Sequence, residues 1–70
     1  MQDLIQKISE ALNKELMSDE KAQIEIILLY NKDDHQEAAW TIIDYLMIPR
    51  RGNRSTVLKT IKEHYDELQS

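Results

Sequence analysis

Ser18-Asp19-Glu20-Lys21-Ala22-Gln23-Ile24-Glu25-Ile26-Ile27-Leu28-Leu29-Tyr30 is the stretch on which the fold turns. Gln23 to Tyr30 is rich in β-branched residues and by composition suits a strand. A lone strand leaves its backbone N–H and C=O groups unpaired, and nothing else in the chain reads as a convincing second strand. The start of the stretch is that of a helix. Ser18 is a good N-cap, and Asp19 and Glu20 put negative charge at the positive end of the helix dipole. The reading is a helix to about Asn31. Its apolar residues surround almost the whole wheel, so it is expected to be largely buried.

Working outward, Asn31-Lys32-Asp33-Asp34 reads as a turn. Asp34-His35-Gln36-Glu37 has the spacing of a capping box, with Asp34 as N-cap and Glu37 reaching back. A third helix then carries Ala38, Ala39, Trp40, Ile42, Ile43, Tyr45, Leu46 and Met47 and leaves only Glu37, Thr41 and Asp44 as a polar face. It too is expected to be central. Pro49 ends it, because proline donates no hydrogen bond and restricts Ile48 before it. After the loop Arg50-Arg51-Gly52-Asn53, with Asn53 or Ser55 as cap, a last helix runs to about Gln69. Val57, Leu58, Ile61, Tyr65 and Leu68 lie on one of its faces, with His64 beside them. Before the opening stretch, Leu4, Ile5, Ile8, Ala11, Leu12 and Leu16 recur at helical spacing, so a first helix is expected from about Asp3, its cap, to Met17.

The expected fold is all-α: residues 1–70 form one domain, a compact bundle of about four short helices. One Gly and one Pro in 70 residues are too few turn residues for an all-β domain. With no Cys, disulfides and thiolate metal sites are excluded, so stability must come from helix packing or association. Two helices with broad apolar faces leave a surplus that a dimer would bury, and monomer and homodimer both stay open. The N-terminus lacks the basic start and apolar run of a signal peptide, and no apolar stretch is long enough to span a bilayer. A cytoplasmic protein without a membrane partner is expected.

Charge is segregated. Residues 1–44 hold four Lys against ten acids, whereas residues 45–62 hold Arg50, Arg51, Arg54, Lys59 and Lys62 with no acid. Ser55, Lys59 and Lys62 share a helical face. Asn53 to Lys59, small polar and basic residues opening a helix, has the pattern of a DNA-recognition helix behind a supporting helix. The connection of about six residues is longer than the usual three or four, and the overall charge of −4 repels phosphate at long range. The plain alternative is a solvated basic loop.

Other constellations are less specific. Asp33, Asp34, His35 and Glu37 cluster on a turn, but adjacent positions rarely converge on one ion, and no calcium-loop spacing follows. Neither His35 nor His64 has a nucleophile at meaningful spacing, and no Gly-rich loop could cradle a phosphate. No metal, cofactor, small-molecule substrate or enzymatic activity is expected. Tyr30, Tyr45, Tyr65 and Trp40 are expected in the core or at a subunit interface. Trp40, at the edge of its apolar arc with Met47 one heptad on, is also a candidate anchor for a protein partner. The leading expectation is a small regulatory adaptor, of the kind phage, plasmid or bacterial accessory loci encode, that binds another protein. The alternative is a helix-turn-helix-like DNA-binding regulator using residues 50–62.

Overall fold

In the computed structural model, which describes residues 2–64, the chain forms four α-helices and, among those residues, no strand. They are α1 (Gln2–Leu12), α2 (Ser18–Tyr30), α3 (His35–Leu46) and α4 (Asn53–Glu63). α1 packs on α2 and α4, and α3 packs on α2 and α4, so the four close into a ring around one core. The radius of gyration is 10.5 Å, close to the roughly 11 Å of a well-packed chain of this length.

Each helix supplies two fully buried aliphatic side chains: Leu4 and Ile8, Ile24 and Leu28, Ile42 and Ile43, Val57 and Ile61. The small Ala38 and Ala39 of α3 are buried as well and let neighbouring helices approach it. α3 is central, as its apolar arc implies. Among the described residues no aromatic side chain belongs to the core. Tyr30 and Tyr45 are exposed and Trp40 is half-buried, while the expected positions Tyr65 and Leu68 lie outside the described residues.

α2 is the helix its N-terminal chemistry implies, but the expectation that it is largely buried is overturned. Ile24, Ile27 and Leu28 face the core, whereas Ile26, Leu29 and Tyr30 face outward, Tyr30 at 86% exposure. A helix packed against two neighbours from one side covers one face only, and this sequence is apolar on both.

The helix ends follow local backbone chemistry. α1 stops at Leu12, five residues before the expected end, because Asn13 takes a left-handed conformation with φ 53°. The Asn13 N–H donates to Glu10 O and the Lys14 N–H to Ser9 O, each at 3.1 Å, and this pair of bonds closes the last turn. Leu16 is buried from the connecting segment and Ala11 is exposed. Asp3 stands inside the first turn and does not cap it. Met17, not Ser18, is the N-cap of α2, and the Glu20 carboxylate accepts the Met17 N–H at 2.8 Å.

Asp34 caps α3 as expected, accepting the Glu37 N–H at 3.1 Å. The return half of the expected box is replaced, since the Asp34 N–H donates to Asn31 O at 3.0 Å. Asp34→Ala removes that capping acceptor and should cost about 1 kcal/mol, read as a fall of roughly 4–8 °C in melting temperature. An unchanged melting curve would show that water replaces the cap at no cost. α4 starts behind Gly52, whose φ of 82° suits glycine, and not behind Asn53 or Ser55. Asn53 instead donates from Nδ2 to Pro49 O at 2.8 Å, tying the loop to the helix. α4 ends at Glu63 with half-buried His64 as its C-cap, and the rest of the expected helix lies outside the described residues.

Candidate interaction surface

The basic block folds into two parts, and its arginines converge on one aromatic ring. α3 presents Trp40, half-buried, two turns before its end. The chain then reverses through Met47 to Gly52, which brings the loop residue Arg50 and the first-turn residue Arg54 of α4 back onto Trp40. Each guanidinium carbon lies 5.0 Å from the ring centroid, within cation–π range. Arg50 also reaches Asp44: Nε donates to Oδ1 at 3.0 Å, and Nη2 lies 2.9 Å from the same oxygen. Both side chains of that pair are more than half exposed, so the ion pair orients Arg50 more than it stabilises the fold. Asp44 is the residue that sequence reasoning missed. It sits just before the cationic run, and only the loop reversal makes it a partner.

Met47 stands at the outer edge of this corner, 89% exposed, with φ 57°. It is the left-handed residue that closes α3: its N–H donates to Asp44 O at 3.2 Å, and the Ile48 N–H donates to Ile43 O at 3.4 Å. Glycine is the usual residue at such a position, because a Cβ there meets the following carbonyl. A large apolar side chain is therefore held in solvent at a site where the backbone disfavours it. Met47→Gly should raise stability by roughly 0.5–1 kcal/mol. A melting temperature lower than that of the parent would mean that the Met47 side chain packs.

The second part of the block runs along α4. Ser55, Lys59 and Lys62 are exposed on one strip and, with Leu58 and Glu63, line a shallow depression of about 360 Å³. Neither Lys59 nor Lys62 pairs with an acid of α1 or α2 among the described residues. Arg51 is exposed at the turn between the two parts. Trp40 and the arginines thus form one cluster and Ser55, Lys59 and Lys62 another, with Arg54 the residue that joins them.

Elsewhere the chemistry is sparse. A larger open depression, about 490 Å³, lies between α1 and α2 and is lined by Ile5, Gln6, Ser18, Lys21 and Glu25 among others, with no histidine. Among the described residues no three His, Cys, Asp or Glu side chains gather where they could hold a metal ion. No helix among them is long and apolar enough to cross a membrane. No known protein family, curated protein or solved structure matches the chain.

Proposed function

We propose that this domain is a non-enzymatic adaptor that binds an acidic surface of another protein through the corner between α3 and α4. The observation that carries the reading is the ring of Trp40 set against Arg50 and Arg54, with Met47 exposed beside them. Trp, Arg and Met are the residue types enriched at protein interfaces, and Trp and Arg dominate their hot spots. The stacking supports the reading on energetic grounds as well. Guanidiniums already oriented on a ring lose less conformational freedom on binding a carboxylate than free side chains would. A cytoplasmic location is part of the same proposal.

DNA binding through α4 is the second reading, favoured by the outward strip of Ser55, Lys59 and Lys62. It ranks below the first because the segment from Met47 to Gly52 is longer than the turn of a helix-turn-helix unit, and because a net charge of −4 repels phosphate at long range.

One comparison separates the two. On the protein reading, Arg54→Glu strips the partner from a pull-down in the native host, while Lys59→Glu with Lys62→Glu leaves most of it, and mixed-sequence duplex DNA binds negligibly at physiological salt. Tight duplex binding would overturn it, with the slope of log K against log salt flattening by about two units in the double lysine variant.

A further inference from the structure

The two arginines on Trp40 are not equivalent. The Arg54 N–H donates to Arg50 O at 3.2 Å, so the pair stand one helical turn apart, and both guanidiniums come to 5.0 Å from the ring centroid. Arg50 is already matched. Its Nε and Nη2, the edge that grips a carboxylate side-on, both reach Asp44 Oδ1, at 3.0 and 2.9 Å. Half-buried Arg54 meets no acid among the described residues, and its guanidinium makes no hydrogen bond to them.

Taking the corner between α3 and α4 as the binding surface, the reading on which this rests, we propose that Asp44 sets the acid count of the ligand. The corner takes a single carboxylate, on Arg54, beside an apolar side chain that packs on Met47, and it disfavours adjacent acids. Arg54 offers a complete guanidinium fork, held over a ring and partly out of water, where a charge-assisted hydrogen bond gains most. A second carboxylate beside the first falls to Arg50. There it meets only the outer N–H groups, and the Asp44 charge on the inner edge repels it. The local balance agrees, since Arg50 and Arg54 against Asp44 leave a single positive charge at the ring. Arg51, exposed at the turn, adds long-range attraction.

The Arg50–Asp44 pair is too exposed to matter much to the fold, so its main consequence is for what Arg50 can still bind. Asp44 is thus a specificity residue beside the seat and not part of the seat itself.

Selection from a displayed library of random short peptides on the immobilised full chain tests this without the natural partner. The parent should enrich peptides with one acid next to an apolar residue, and Trp40→Ala should lose them. Asp44→Asn keeps an acceptor oxygen for Arg50 and removes the competing charge, so it should enrich peptides with two adjacent acids. Those peptides should bind the variant roughly three- to tenfold more tightly than the parent, the range expected of one more partly exposed charged contact. Adding Arg50→Gln to Asp44→Asn should cancel the gain. Glu37→Gln removes an exposed acid from the same face of α3, two turns away, and should leave the selection as in the parent. The role of Asp44 is overturned, with the corner still the binding surface, by any of four results. Parent and Asp44→Asn enrich adjacent acids equally, Asp44→Asn loses binding, the gain persists without Arg50, or Glu37→Gln behaves like Asp44→Asn. Binders that survive Trp40→Ala, binders without an acid, or no binders at all would overturn the corner as the binding surface, and the role of Asp44 with it.

Discussion

Ile42→Ala is expected to destabilise the domain by roughly 2–5 kcal/mol, the largest effect of any single truncation considered. Ile42 is fully buried in the middle of α3, the helix that packs on both α2 and α4. Truncation loses the transfer free energy of the removed carbons and leaves a cavity that neighbours held by three other helices fill only in part. The small buried residues of α3, Ala38 and Ala39, offer no bulk to move into it. A 70-residue chain has about 4–10 kcal/mol of total stability to lose, at about 0.05–0.15 kcal/mol per residue. The variant should therefore sit near its unfolding midpoint at modest urea, whereas Ile42→Val should cost only about 0.5–1.5 kcal/mol. A parent-like urea midpoint for Ile42→Ala would mean that the core is not organised around α3.

The second large effect concerns binding. Trp40→Ala is expected to lower affinity for the protein partner by at least about 2 kcal/mol, a factor of roughly 30. It removes the apolar contact and the ring beneath both guanidiniums, so Arg54 loses its platform and Arg50 keeps only its tie to Asp44. Trp40→Phe keeps a ring face for the guanidiniums and should retain part of the affinity, which separates loss of the platform from loss of the fold. Trp40 is the only tryptophan in the chain, so its fluorescence reports on this corner alone. An emission maximum that does not move when partner binds would contradict the assignment.

The helices were legible in the sequence where one residue settles the backbone. Asp34 caps α3, and Pro49 follows its end. The choice of helix over strand at Gln23 to Tyr30 followed from the need to pair backbone groups, and the fold agrees with it. Three features were not legible. The end of α1 was hidden because Leu16 continues the spacing of Leu12 and is buried, yet reaches the core from a connecting segment. Asn13, a residue tolerant of the left-handed conformation, was the available signal. The buried side of α2 could not be chosen from its sequence, because a helix apolar all round has no preferred face until its neighbours are placed. For the same reason the basic block read as one patch. Its division into a Trp40 cluster and an α4 strip depends on the path of the loop from Met47 to Gly52.

The corner between α3 and α4 is tested most directly by placing a photo-crosslinking amino acid at Met47 in the native host. Met47 points into solvent at the edge of the Trp40 cluster, so the substitution leaves the core untouched. The expected result is a covalent adduct with a protein, lost when Trp40→Ala is added and absent when the crosslinker is placed at the exposed Glu10 of α1. Adducts with nucleic acid alone, or a protein adduct that persists unchanged in the Trp40→Ala background, would contradict the account.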